Sequence, residues 1–147
     1  MRTTLVKLLL LGCLVFVGCS QSGDFTSFII AEVAKYGGHI KTGGAIPKLD
    51  AKWTIKRDDH GFILSVTGAS FKNISADMEQ VFGPPKFSDD GSGMASHEPG
   101  REWSAVDIGV AIQLVVHKDR TEIICIRGMK DMGELFRHMS SLSGGKP

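Results

Sequence analysis

The sequence has no excess of charge of either sign. Its 147 residues include 17 Lys and Arg against 16 Asp and Glu, and no long run of basic residues occurs along the chain. A protein that binds nucleic acid needs a basic patch to neutralise the phosphates. We therefore expect no nucleic-acid partner.

The short motifs of common enzymes are also missing. The chain has no Gly-x-Ser-x-Gly of a serine hydrolase, no His-Glu-x-x-His of a zinc protease, no glycine-rich phosphate loop and no closely spaced Cys pair. We therefore expect no cofactor, no metal and no enzymatic activity. A content of 42% hydrophobic and 22% charged residues is ordinary for a small globular protein, and the length leaves room for only one domain, predicted over residues 24–147.

The first 18 residues have the composition of a secretory signal peptide. Arg2 and Lys7 supply positive charge before an apolar run of ten residues, Leu8 to Val17. This run is too short to span a bilayer, which takes about 20 residues in a helix. Residues 1–18 are therefore predicted to be a signal peptide.

The end of this leader resembles the lipobox of bacterial lipoproteins, in which a small residue precedes the cysteine that receives the lipid. Phe16 to Cys19 supplies the pattern, with Gly18 before the cysteine. Cys13 is a second candidate, but cleavage there would leave apolar residues 14–17 at the mature end. A plain cleaved signal and an uncleaved anchor remain as alternatives.

The lipobox resemblance implies acylation at Cys19 and a tether over residues 19–23. It also implies a cell-envelope protein held to the membrane by its lipid. Ser20 rather than Asp follows the cysteine, which in such lipoproteins indicates the outer membrane, facing the periplasm. With Cys13 removed and Cys19 acylated, only Cys125 remains, so the mature chain has no internal disulfide.

The centre of the predicted fold is the segment from Trp103 to Arg127. Four apolar residues alternate on one face of its first long strand, and the run from Ile123 to Ile126 is apolar on both faces, as in a central strand. The alternating residues are Val110, Ile112, Leu114 and Val116.

A two-residue turn at Asp119-Arg120 would place Leu114 opposite Cys125. The same turn would place His117 opposite Glu122, about three residues along the ladder from the cysteine. Cys125 is therefore predicted to be a buried, inert thiol.

Five further elements complete the predicted fold, four of them before the segment from Trp103 to Arg127. These four are a helix over Asp24 to Tyr36, strands over Lys52 to Arg57 and Phe62 to Thr67, and a helix over Ser75 to Phe82 capped by Ser75. A final helix over Asp131 to Leu142 would bury a stripe of Met129, Met132, Leu135, Phe136 and Met139. The predicted class is α+β, an antiparallel sheet of about five strands with helices packed against it, in the order α-β-β-α-β-β-β-α.

The segment from Met78 to Pro85 consists of the end of a predicted helix followed by Gly-Pro-Pro. Together with the loop after it and the strand at Glu102-Trp103, it resembles a pattern shared by two groups of known proteins. These are the small lipoproteins of the outer-membrane barrel assembly machinery and the β-lactamase inhibitor proteins. The resemblance implies an antiparallel sheet and an envelope protein as the partner.

Residues 83–100 form the longest stretch without periodicity and contain four glycines and three prolines. Such a stretch is expected at the surface, where binding residues concentrate. The candidate binding residues in and beside it are Phe87, Met94, His97, Arg101 and Trp103. Acidic pairs at Asp58-Asp59 and Asp89-Asp90 lack the spacing of a metal site and are interpreted as turn residues.

These observations favour a non-enzymatic, membrane-anchored lipoprotein domain that contacts envelope proteins or other envelope components. Two alternatives stay open. One is an inhibitor or immunity-type lipoprotein that uses loop 83–100. The other is a small metal-dependent hydrolase that would use His60, His97, Glu98 or the Asp89-Asp90 pair.

Overall fold

A computed structural model describes residues 20–91 and 98–128 of the chain. The predicted signal peptide, Cys19, Met94, His97 and the predicted final helix therefore lie outside the described residues. The elements are β1 Gln21–Asp24, α1 Phe25–Lys35, β2 Asp50–Arg57, β3 Gly61–Thr67, α2 Phe71–Phe82, β4 Phe87–Asp89, β5 Gly100–Trp103, α3 Ala105–Ile108, β6 Val110–Val116 and β7 Thr121–Arg127.

The strands form one antiparallel sheet in the order β1-β2-β3-β7-β6-β5-β4. The α+β class and the central place of β7 are confirmed. The prediction of about five strands in the order α-β-β-α-β-β-β-α is wrong, because the described residues form seven strands and three helices. Strand β1 precedes α1, β4 lies in the predicted loop, and the short helix α3 separates β5 from β6. The two unforeseen strands, β1 and β4, are edge strands of four and three residues. Strands this short carry no apolar alternation, so only their backbone pairing identifies them.

The predicted pairing of β6 with β7 is also wrong, by two residues. Ile112 rather than Leu114 lies opposite Cys125. The turn is longer than predicted, since the backbone N–H of His117 donates to the carbonyl of Arg120 at 2.7 Å and closes a loop over residues 117–120. A shift of two residues keeps every side chain on its face, because side chains alternate with period two. The predicted buried face of β6 is therefore correct.

Helices α1 and α2 each begin directly after the residue that caps them. Asp24 caps α1 as predicted, and its side chain accepts a hydrogen bond from the N–H of Ser27. Helix α2 begins at Phe71 rather than Ser75, because Ser70 caps it by accepting from the N–H of Asn73. Ser75 is a buried residue inside the helix, so its prediction as the cap is wrong.

Helices α1 and α2 pack on one face of the sheet, which we call the inner face. Their apolar residues form one core cluster with the inner-face strand residues. At its centre the Phe25 ring meets the Trp53 ring edge-on, with centroids 6.3 Å apart. The opposite side of the sheet is called the outer face. Among the described helices, none has the length and apolar character needed to cross a membrane.

Strand β1 takes up most of the segment assigned to the tether. Gln21 to Gly23 pair with β2 opposite Trp53 to Ala51. Only Ser20 then separates Cys19 from the sheet.

Candidate functional site

The candidate binding residues that the structure describes fall on two faces of the sheet. Arg101 and Trp103 lie opposite Leu114 and Ile112, on the inner face. Phe87 lies opposite Glu102 and therefore on the outer face, where 58% of its surface is exposed. Of the candidate residues that the structure describes, Phe87 therefore lies on the opposite face of the sheet from Arg101 and Trp103.

Loop 83–100 is also less irregular than predicted. Phe87–Asp89 forms β4, which pairs with Gly100–Trp103. The N–H of Lys86 extends this pairing by donating to the carbonyl of Glu102 at 2.7 Å. The two arms of the loop are thus held together where β4 pairs with β5.

Arg101 lies in a pocket between α2 and the ends of this loop. The pocket has a volume of about 430 Å³, which is within the range of small ligand sites. We call it the α2 pocket. It is lined by Phe71, Lys72, Ser75, Ala76, Glu79, Asp90, Pro99 and Arg101.

The guanidinium of Arg101 is held in place from several sides. Its Nη1 donates to the carbonyl oxygens of Asp89 at 2.7 Å and of Gly100 at 2.8 Å. Its central carbon lies 5.2 Å from the centre of the Phe71 ring, a cation–π distance. Its Nε is buried and has no hydrogen-bond acceptor among the described residues, since Glu79 Oε1 lies 4.0 Å away. The side chain is therefore a fixed cation in the pocket wall, and no residue in the described part of the chain accepts a hydrogen bond from its Nε.

The charges around the α2 pocket balance. Lys72 and Arg101 are matched by Glu79 and Asp90, and Phe71 adds an aromatic surface. A site with both signs of charge and an aromatic ring suits a polar, overall uncharged ligand better than a strongly charged ion. A segment of polypeptide has this character.

Trp103 has a structural role beside this pocket. It is 2% exposed, and its Nε1 donates to the carbonyl oxygen of Gly83 at 2.8 Å. This bond fixes the residue at which the chain leaves α2. Gly83 is buried with φ at 83°, a conformation that favours glycine.

Cys125 is buried as predicted. It is 0% exposed, and burial raises the pKa of its thiol to about 12. His117 contacts a different group, since its Nε2 lies 3.0 Å from Glu122 Oε2. This arrangement does not supply the base that a cysteine nucleophile needs.

Among the residues that the structure describes, the most buried charged group is Glu32, on α1. Its side chain is 2% exposed and receives hydrogen bonds from the Nε and Nη2 of Arg57 at 3.0 and 2.9 Å. These bonds hold the pKa of Glu32 below its ordinary value. Asp58 accepts from the N–H groups of His60 and Gly61, as expected of a turn residue. In the described ranges, no group of three or more His, Cys, Asp or Glu side chains is placed to hold a metal ion.

A second pocket, of about 600 Å³, lies beside β1. Its lining contains Ser22, Gly23, Asp50, Ala51, Lys52, Thr67 and Gly68. These side chains are small or extend into solvent, and the lining has no aromatic residue. The α2 pocket therefore offers a ligand more kinds of contact than the pocket beside β1.

Comparison of the chain with protein-family models, curated proteins and solved structures finds no match. The candidate site is therefore assigned from the arrangement of its residues alone. Sequence analysis found Arg101 but missed the α2 residues that face it. Their signal is the spacing of Phe71, Ser75 and Glu79, which puts them along one side of a helix once the helix is known to start at Phe71.

Proposed function

We propose that the protein is a non-enzymatic, lipid-anchored domain of the bacterial cell envelope that binds another envelope protein through the α2 pocket. The observation that carries this proposal is the fixed guanidinium of Arg101 beside Phe71, in a pocket whose charges balance. The class of partner follows from that chemistry. The proposed location is supported by the resemblance of the predicted leader's end to a lipobox.

The anchor would hold the domain close to the membrane. Ser20 is the only residue between Cys19 and β1, and two residue steps span at most about 7 Å. A domain on so short a tether meets partners that are themselves embedded in or attached to the same membrane. Acylation at Cys19 and sorting to the outer membrane are both part of the proposal.

The non-enzymatic part of the proposal is supported by two charge pairs and by the buried thiol. Glu32 and Glu122 are each engaged by an arginine, at Arg57 and Arg120. Burial keeps Cys125 in its thiol form. These groups stabilise the fold and do not face the α2 pocket.

An inhibitor of a partner enzyme is a second candidate function. It is favoured by Phe87, a large side chain that is 58% exposed on the edge strand β4. An exposed aromatic residue beside a loop is a common anchor in protein interfaces. The interface would then lie on the outer face around Phe87 instead of the α2 pocket.

Matched substitutions distinguish the two candidate functions. Each substitution is made in the full chain, and the protein is produced in its native host. Ala76→Trp fills the mouth of the α2 pocket, whereas Asn73→Trp adds the same side chain at an exposed position of the same helix that does not line the pocket. After formaldehyde crosslinking, we expect Ala76→Trp to lose the crosslinked partner and Asn73→Trp to keep it. Retention in both variants, together with loss in Phe87→Ala, would favour the inhibitor.

A further inference from the structure

Strand β1 is attached to the domain by backbone pairing and buries no apolar side chain. Its sequence is Gln-Ser-Gly-Asp, and each of its four residues is exposed or half-buried. It lies at the edge of the sheet, so it pairs with β2 on one side only. The net contribution of a backbone hydrogen bond is of the same order as the entropy cost of fixing one residue. A strand without apolar burial therefore opens at low free energy.

The C-terminal end of β1 combines a fixed residue with a glycine. Asp24 is held as the cap of α1, since its carboxylate accepts from the N–H of Ser27 at 3.2 Å and from the Ser27 hydroxyl at 2.9 Å. Gly23, directly before it, has φ at 149°, a conformation that favours glycine. Rotation at Gly23 would therefore move the residues before it without disturbing α1.

The pocket of about 600 Å³ beside β1 borders Ser22 and Gly23. The rest of its lining comes from β2 and from the end of β3. A Cβ added at Gly23 would meet one described atom within 4 Å, Cη2 of Trp53 at 3.9 Å, which is ordinary contact. Described side chains therefore do not enclose this part of β1, and the strand can leave without breaking a packed layer.

We propose that β1 is a releasable strap, which pairs with β2 in the closed state and detaches at Gly23 to lengthen the membrane tether. The proposal rests on the lipid anchor at Cys19, which is part of the proposed function. With β1 paired, two residue steps join Cys19 to Gln21 and span at most about 7 Å. With β1 released, five steps join Cys19 to Asp24 and span at most about 18 Å. Release would let the α2 pocket reach partners about 10 Å farther from the membrane.

Amide hydrogen exchange of the purified full mature chain, followed residue by residue by NMR, tests the release directly. We expect the β1 amides that bond to β2 to exchange at least about tenfold faster than the amides of the β2–β3 ladder, because local opening requires less free energy than unfolding. Equal protection of the two ladders would overturn the proposal. The measurement needs no partner, so its failure is distinct from failure of the proposed function.

A disulfide lock provides a matched pair of variants. Ser22 and Lys52 are exposed and lie directly opposite each other, within the Cα separation that a disulfide can bridge. Oxidised Ser22→Cys with Lys52→Cys should slow β1 exchange at least about tenfold, and reduction should restore it. The control lock, Thr54→Cys with Ser65→Cys, joins β2 to β3 and should leave β1 exchange unchanged. A lock that forms without slowing β1 exchange would contradict the release.

Gly23→Ala is a second variant, which does not depend on oxidation. Alanine is strained at the φ of Gly23, so this change should raise β1 exchange several-fold and leave α1 and β3 protected. Gly44→Ala is the control, because Gly44 is exposed, its φ is not positive, and an added Cβ would meet no described atom within 4 Å. Unchanged β1 exchange in Gly23→Ala would refute the assignment of Gly23 as the hinge.

The two locks also test the role of release in the native host. The oxidising cell envelope allows both disulfides to form, and formaldehyde crosslinking reports the partner. We expect the lock between β1 and β2 to lose most of the crosslinked partner and the control lock to keep it. An undiminished crosslinked partner in the chain with β1 locked would overturn the role of release in reaching that partner.

Discussion

The indole Nε1 of Trp103 donates a hydrogen bond of 2.8 Å to the carbonyl oxygen of Gly83. This bond joins the last residue of β5 to the residue that follows α2, and both groups are buried. It therefore fixes the two ends of the loop that borders the α2 pocket. The second tryptophan differs, because no acceptor among the described residues reaches the Nε1 of Trp53.

The two tryptophans provide a matched pair of substitutions. Trp103→Phe removes the donor and leaves the buried carbonyl of Gly83 without its partner, at a cost of about 1–3 kcal/mol beyond the lost apolar area. Trp53→Phe loses similar area but no hydrogen bond. We expect Trp103→Phe to lower the free energy of unfolding more than Trp53→Phe, as measured by urea denaturation. Equal losses in the two variants would contradict the assigned role of the bond.

The sequence predicts the elements that alternate strongly and misses those that depend on distant pairing. The faces of β3 and β6 and the centrality of β7 follow from period-two apolar residues such as Leu64 and Ile112. β4 has only three residues, and its one large apolar residue, Phe87, is exposed. No local pattern marks such a strand, because its stability comes from the backbone bonds to β5.

The candidate site was predicted only in part for a related reason. Arg101 stands out as the residue that opens a strand after a long loop. The residues that face it lie on α2, and their relevance depends on a helix that is capped by Ser70 rather than by Ser75. Both serines satisfy the chemistry of an N-cap. Only the fold decides between them, since Ser75 is needed in the buried side of the helix.

Cys125 should behave as a small buried apolar residue. Because burial raises the pKa of its thiol to about 12, the reactive thiolate is scarce at neutral pH. We expect Cys125→Ala to cost on the order of 1 kcal/mol and Cys125→Asp to unfold the domain. The folded mature protein should react with a water-soluble thiol reagent far more slowly than after denaturation. Equal rates before and after denaturation would refute the assignment.

Glu32 should make stability depend on acid pH. The hydrogen bonds from Arg57 hold its pKa below the ordinary value of 4.5 in the folded chain. A group whose pKa is lowered by folding contributes stability that is present above its unfolded value and is lost as the pH falls through the folded value. Glu32→Gln should therefore destabilise the protein by about 1–3 kcal/mol at pH 7 and by less near pH 3.

Denaturation of both proteins at a series of pH values measures this difference. Glu102→Gln is the control, because Glu102 is exposed, and a surface change of this kind moves stability by less than about 0.5 kcal/mol. A Glu32→Gln deficit that stays constant from pH 7 to pH 3 would be inconsistent with the charge pair as its cause.

The proposed lipid anchor is tested by substitution of the two cysteines near the start of the chain, Cys13 and Cys19. Cys19→Ala should abolish incorporation of radiolabelled palmitate and release the protein from membranes or block its processing. Cys13→Ala should leave both properties unchanged, since it lies within the predicted signal peptide. If the Cys19→Ala variant still incorporates palmitate, the assignment of Cys19 as the acylated residue is wrong.

The most direct measurement of the central claim is site-specific photo-crosslinking in the native host. A photoreactive amino acid at Ala76 lies in the wall of the α2 pocket, and the same amino acid at Asn73 lies on the same helix outside that wall. The account predicts a discrete crosslinked envelope protein from position 76, lost on adding Arg101→Ala, and no such product from position 73. No product from position 76 above the level at position 73, in cells where the protein is membrane-bound, would contradict it.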